Sequence, residues 1–327
     1  MNDFRTVIPV QKYQFKIDYR SKLAFIGSCF SDHIGNRLSK HFFSVLNNPF
    51  GVLYNPISIK NSIEILMQEK AFMAKDLFFD KEQYHSFWHH SSFSANTETE
   101  ILQKINISIN KSASFLKQTD VLFITFGTAF VYEHIQNQQI VSNCHKISAK
   151  EFKRYRLEVA DILTAYSELI PQLQSWNPNL KIIFTVSPVR HWKDGAHENQ
   201  LSKSVLHLAI SELQKQFKDI EYFPSYELLM DDLRDYRFYA DDMLHIGNQA
   251  VDYVYQYFTD AFYTEESQQI EKKIMSLNKA MQHRVFNKAS EQYKDFVMAN
   301  QKKIQQLQNQ YPYLQLDKLK EYWSAEL

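Results

Sequence analysis

Four short apolar runs at wide spacing constrain this chain more than any other feature: Leu23–Ile26, Val121–Phe126, Ile182–Val186 and Ile220–Phe223. Runs this short, rich in β-branched and aromatic side chains and bounded by polar residues, read as strands buried on both faces. Helical patterns lie between them. Asn55-Pro56 reads as an N-cap followed by Pro at the first helical position, with Ile59, Ile63 and Leu66 on one face. Asp32 to Lys40 also reads as helical. Leu201, Val205, Leu208 and Leu213 form a stripe before the Ile220 run, and Ala250, Val254 and Phe258 form another after Gly247. Strands separated by helices imply right-handed crossovers, so the expected fold is α/β, three layers around a central parallel sheet. In such sheets ligands bind outside the carboxyl ends of the strands. Chemistry is therefore sought at Gly27-Ser28-Cys29, Gly127-Thr128 and Ser187-Pro188-Val189-Arg190.

The 327 residues approach the limit for one hydrophobic core, and 44% hydrophobic residues with 25 Phe and 19 Tyr exclude general disorder. Because 37 Lys+Arg cancel 37 Asp+Glu, no overall field draws the chain to nucleic acid or an anionic membrane. Neither partner is expected. Two cysteines, Cys29 and Cys144, are too few for a disulfide framework or a four-cysteine zinc site and fit a reducing compartment. Met1 to Arg20 mixes apolar with charged residues and shows no secretory signal, and no apolar run is long enough for a membrane span. A soluble, cytoplasmic protein is expected. From about Thr264 the pattern changes: Ile270, Ile274, Leu277 and Met281 keep helical spacing in a Lys- and Gln-rich background, continuing through Phe296, Ile304 and Leu307. This divides the chain into a domain over 1–262 and a helical extension over 263–327. The extension packs on the domain or on a second copy, which leaves homo-oligomerisation open.

Gly27-Ser28-Cys29 puts two potential nucleophiles at a strand end directly before a helix. The positive helix end lowers a thiol pKa and binds developing negative charge; the plainer reading is a tight turn with a buried cysteine. Downstream, Asp242 and His245 lie three apart at the start of a helical stretch, where the carboxylate can fix the imidazole tautomer and leave the other ring nitrogen to carry a proton. Together they complete a nucleophile, a base and an orienter.

That combination resembles the GSCFA family, a branch that looks like the SGNH (GDSL-like) hydrolase superfamily. Gly27-Ser28-Cys29-Phe30-Ser31 carries the signature. Asn48-Pro49-Phe50-Gly51-Val52-Leu53-Tyr54-Asn55-Pro56, Phe126-Gly127-Thr128-Ala129, Asn143-Cys144-His145-Lys146, Thr185–Arg190 and Leu233–Tyr239 follow in family order. The resemblance covers roughly residues 1–262 and implies hydrolysis or transfer of acyl groups on oxygen, without a cofactor. Sliding the superfamily's Gly-Asp-Ser register onto this chain puts Cys29 in the nucleophile slot, with Ser28 as the rival.

By the same resemblance the backbone N–H groups of Cys29 and Gly51 would form an oxyanion hole. The third superfamily donor is an Asn two residues past the block-three glycine, Gly127; that slot holds Ala129. Thr128 and Asn143, with His145 beside it, are the substitutes to consider. Arg190 and His191 follow a strand end, where Arg suits a carboxylate or phosphate. Arg234 and Arg237 are expected to pair with neighbouring Asp residues instead. His85, His89 and His90 raise the question of a metal, but no clear carboxylate or thiol ligand follows and the aromatic setting favours a packed loop; no metal is expected. Lys153–Arg156 reads as a solvated helix face.

The leading expectation is an acyl-ester hydrolase acting on a small-molecule or carbohydrate acyl ester. An acyltransferase using an activated donor such as acyl-CoA, and a binding or assembly module with a decayed site, are the alternatives.

Overall fold

The computed structural model describes residues 5–284 and 286–326. In chain order the strands are β1 (Lys22–Gly27), β2 (Ser44–Asn47), β3 (Phe78–Asp80), β4 (Gln83–His85), β5 (Val121–Phe126), β6 (Phe130–His134), β7 (Gln139–Val141), β8 (Phe152–Arg156), β9 (Lys181–Val186) and β10 (Ile220–Phe223). The helices are α1 (Cys29–Lys40), α2 (Pro56–Met67), α3 (Glu98–Leu116), α4 (Val159–Trp176), α5 (Gly195–Gln216), the short α6 (Ser225–Glu227), α7 (Asn248–Phe262), α8 (Glu265–Met281), α9 (Glu291–Gln310) and α10 (Asp317–Ala325). By internal contacts the chain forms two compact units, the first made of Lys22–Asn36 and Val45–Gln256 with residues up to Pro9, the second of Val10–Ser21, Arg37–Ser44 and residues from Tyr257 on.

The first unit is α/β, with a five-stranded sheet in the order β10-β9-β5-β1-β2. The β1/β5, β5/β9 and β9/β10 pairs are parallel. Each of the four apolar runs falls in one of these strands. All six residues of β5 are buried, as a strand covered on both faces requires. One face carries Ala24, Ile26, Leu122, Ile124, Phe126, Ile182 and Phe184, which pack with Ile59, Ile63 and Leu66 of α2 and with residues of α3, α4 and α5. On the other face Phe25 stacks on Phe123 at 4.6 Å, and Phe30 of α1 meets Phe223 at 6.3 Å. Asn55 caps α2 as expected, its side chain accepting from Ser58 N–H with Pro56 at the first turn. The registers Gly27↔Thr125, Thr125↔Thr185 and Phe223↔Thr185 bring the carboxyl ends of four strands level.

Three local expectations are corrected. Leu208 lies on the solvent side of α5, 56% exposed; the buried stripe is Ser202, Lys203, Val205, Leu206, Ala209, Ile210 and Leu213. Lys153–Arg156 is strand β8, hydrogen-bonded to β6 in a three-stranded antiparallel sheet β7-β6-β8, rather than a helix face. Asp242 and His245 do not open a helix; they sit in a turn closed by a Tyr239–Ile246 bridge, ahead of α7.

In the second unit Ile17 pairs with the α7–α8 junction, its N–H donating to Phe262 O at 2.7 Å and its carbonyl accepting from Thr264. Ile270, Ile274 and Leu277 of α8 and Val297, Ile304 and Leu307 of α9 are buried, and Trp323 of α10 packs edge-on to Phe296. Among the described residues no helix is long and apolar enough to cross a membrane.

Candidate active site

Gly27 ends β1 with φ +143°, and a Cβ there would lie 2.2 Å from the Thr125 carbonyl oxygen, so only glycine lets β1 turn this close to β5. The turn leaves Ser28 buried, its hydroxyl without a partner among the described residues, and makes Cys29 the first residue of α1. Cys29, half-buried, lines a cleft of about 420 Å³ with Ser28, Tyr54, Gly127, Thr128, Asn143 and His191. Burial pushes the thiol above its ordinary range. Lys203 and the N–H groups of Cys29 and Phe30 pull it back down, while Asp32 opposes them.

Asn48 ties the turn together. Its Oδ1 accepts from Gly27 N–H at 2.8 Å and its Nδ2 donates to Asp32 Oδ1 at 2.6 Å, which fixes Asp32 in the first turn of α1. The loop after it is stitched to the strand ends. Tyr54 O accepts from the N–H groups of both Gly127 and Thr128, at 2.8 and 2.9 Å, and Leu53 N–H donates to Gly27 O.

His245 Nδ1 lies 2.5 Å from Asp242 Oδ2, while Asp242 Oδ1 accepts from the N–H groups of Leu244 and His245 at 2.9 Å each. These hydrogen bonds hold the Asp242 carboxyl well below the usual carboxylate range. The imidazole of His245 meets His191, which lines the cleft, at 5.6 Å between ring centres. It also acts electrostatically on His33. His33 follows Cys29 by four residues on α1, so the two share a helix face. Contact with His191 thus brings the pair to the edge of the cleft that Cys29 lines, although among the described residues no hydrogen bond joins His245 to Ser28 or Cys29.

The other expected residues separate into groups. Thr128 Oγ1 pairs with Ser202 Oγ at 3.1 Å, and Ala129, in the vacated Asn slot, is buried with its N–H on Ser202 Oγ. Asn143 Oδ1 accepts from His145 N–H, and the residue lines the cleft. Gly51 N–H is committed to Asn48 O at 2.7 Å, and the residue does not line the cleft. His145 also turns away, its Nε2–H donating to Ser86 O and its ring packing on Phe78 and His85. Arg190 borders a second cavity of about 250 Å³ with Tyr239, Met243 and Leu244. Arg234 and Arg237 pair with Asp231 and Asp235 on the surface, as expected. His89 is stacked on Phe50 at 4.7 Å, a packed side chain.

Sequence reasoning missed two elements of this cleft. Arg154, read as solvated, forms a bidentate pair with Asp194 and lies over the Phe130 ring at 4.2 Å. Lys203 of α5 is fully buried; its ammonium donates to Gly127 O and Ser187 O at 2.6 Å each, and burial brings it down to about 7. A lysine three residues before Leu206 and seven before Ile210, on the apolar stripe, was the signal that could have found it.

A model described as the GSCFA family matches residues 22–258, and one described as the GSCFA domain protein, C-terminal domain, matches residues 274–327. No curated protein matches. Among solved structures, one described as "a putative platelet activating factor from Streptococcus pneumonia" is 12% identical, with a TM-score of 0.38, covering 74% of this chain and 84% of that one. An acetyl xylan esterase (Est2A) from the rumen bacterium Butyrivibrio proteoclasticus is 11% identical, with a TM-score of 0.36, covering 74% of this chain and 63% of that one. Likeness at this level carries nothing about activity.

Proposed function

The chain belongs to the GSCFA family, and on that premise we propose that it hydrolyses ester-linked acyl groups of a small molecule or carbohydrate through an acyl-enzyme on Cys29. The observation that carries this reading is the Asp242-held imidazole of His245, whose ring meets that of His191 on the wall of the cleft that Cys29 also lines. With Nδ1 engaged by Asp242, Nε2 is the nitrogen left to take the thiol proton. The thiolate adds to the ester carbonyl and the alcohol leaves with the proton from His245. Water, deprotonated by His245, then cleaves the thioester and releases the carboxylic acid.

Developing charge on the carbonyl oxygen falls to the head of α1, where the Cys29 N–H is a preorganised donor. Gly51 is withdrawn from that role, since its N–H is spent on Asn48. The amide of Asn143, which carries no hydrogen bond from Nδ2 to another described residue, takes the place of the missing Asn at Ala129.

The test is mass spectrometry with peptide mapping after reaction with p-nitrophenyl acetate or a fluorophosphonate, alongside turnover of the same ester. One acyl adduct on Cys29, lost in Cys29→Ala, with turnover also lost in His245→Ala, is the expected result. An adduct on Ser28 would reassign the nucleophile, and no adduct under excess reagent would leave a binding module. Appearance of the acyl group on an added alcohol faster than in water would make the protein a transferase.

A further inference from the structure

A lysine as deeply buried as Lys203 ordinarily has an anionic partner. The two acceptors of its ammonium are neutral carbonyls, Gly127 O and Ser187 O, at the ends of β5 and β9. An ammonium carries three hydrogens, so one is uncommitted among the described residues. The titratable and charged groups that act on it are Cys29, Arg190, His191 and His207, and the ring of Tyr226 lies 5.9 Å away. No carboxylate is among them. The Cys29 thiol is therefore the group acting on this cation that can become its counter-charge.

The placement is consistent with that pairing. Gly127 and Ser187, which hold the ammonium, line the same cleft as Cys29 and Ser28, and a Cβ built on Gly127 would lie 3.3 Å from the Ser28 Cβ. We propose that Lys203 is a positioning residue for the nucleophile: clamped between two strand ends, its ammonium, when protonated, stabilises the Cys29 thiolate. This rests on Cys29 being the nucleophile. Around the thiol, Lys203 and the N–H groups of Cys29 and Phe30 favour the thiolate, while burial and Asp32 oppose it. Tyr54 lines the same cleft as the thiol. When protonated, Lys203 brings a full positive charge to this balance.

The experiment measures the rate of Cys29 alkylation by iodoacetamide against pH, by peptide mapping of the full chain, in the native protein, Lys203→Met and Lys203→Arg. Lys203→Met is expected to move the alkylation midpoint upward by about one pH unit, roughly a tenfold loss of rate at pH 8. Lys203→Arg should restore much of it, and Cys144 should keep its native profile as an internal control. A folded Lys203→Met protein with an unmoved midpoint overturns the proposal. If that variant does not fold, the Lys203 ε-carbon resonance is titrated by NMR in native and Cys29→Ala protein. Coupling is reciprocal, so the Lys203 titration must fall when the thiol is removed; coincident curves overturn the proposal. Alkylation does not need turnover, so a protein that shifts its profile but hydrolyses no ester contradicts the hydrolase reading and not this one.

Discussion

Asp242 grips both the ring and the backbone of His245, with one carboxylate oxygen 2.5 Å from Nδ1 and the other on the His245 N–H. The carboxylate therefore stays ionised through mildly acidic pH, below its usual range. Asp242→Asn keeps the shape but puts an amide against Nδ1, favouring the wrong tautomer. A fall in kcat of about 10⁴-fold is expected, with an unchanged circular dichroism spectrum. A fall of less than about tenfold removes Asp242 from the mechanism.

The two thiols should separate under alkylation. Burial pushes Cys144 up to about 11, whereas Cys29, also raised, has Lys203 and two N–H groups in its favour. At pH 8 iodoacetamide should label Cys29 first, at a rate below that of an exposed thiol and climbing as pH rises beyond the ordinary thiol range. Peptide mapping of a time course decides it, and Cys144 reacting first would contradict the electrostatics described.

Gly51 has φ +78°, and a Cβ there would sit 2.2 Å from the His90 Cβ; Gly195 has φ +81° with nothing within 4 Å. Gly51→Ala should cost about 3 kcal/mol or more, backbone strain and overlap together, against about 1 kcal/mol for Gly195→Ala. Urea midpoints of the two variants measure the contrast. Equal losses would mean that His90 yields to the methyl group.

His89 lies against Phe50, Phe72 and Phe93, and burial brings its imidazole down to about 3. An unfolded histidine takes up its proton near pH 6.5. The stability at stake is thus intact above pH 6.5 and is lost as pH falls from there towards 3, by several kcal/mol in all. Replacing the ring by His89→Phe should flatten the decline of Tm between pH 6.5 and 4. Parallel declines in the two proteins would show that His89 does not carry it.

In the second unit His41 Nδ1 lies 2.6 Å from Glu271 Oε1, both buried, and Tyr263 donates to the same oxygen at 3.2 Å. Glu271→Ala leaves these groups facing each other without the carboxylate and should cost about 3–5 kcal/mol. Glu271→Gln keeps an acceptor and should cost less. Calorimetry that finds the two variants equal would show that the charge, rather than the hydrogen bonds, matters here.

The sheet was legible because β1, β5 and β9 are buried along nearly their whole length and so read as almost continuous apolar runs, while the half-buried β10 still keeps Ile220, Tyr222 and Phe223. The strands β6, β7 and β8 were not: they are short, half-buried and rich in charge, so Lys153–Arg156 looks the same as a solvated helix until Arg154 is seen stacked on Phe130. Cys29, Asp242 and His245 could be named from motif order, but the turn around Asp242 depends on the Tyr239–Ile246 bridge, which no apolar periodicity signals. Gly51 failed as a donor for a related reason. A backbone N–H has no side chain to announce its partner, and here that partner is Asn48 O. Lys203 was hidden by an offset of the α5 stripe, which put Leu208 inside and left the lysine out.

The double hold of Tyr54 O on Gly127 and Thr128 has a kinetic consequence. With Leu53 on Gly27, Asn48 N–H on Phe25 O and Ser28 on Thr125, it joins three segments distant in sequence, and the bonds at Thr125, Gly127 and Thr128 form only once the end of β5 has been brought to β1 and its loop. Closing those loops is slow compared with forming any one helix. The cleft is consequently a late product of folding: no fragment ending before Phe126 can contain it, and amide exchange at Leu53, Gly127 and Thr128 should report a single opening event, since none of these hydrogen bonds can break while the others keep the loop in place.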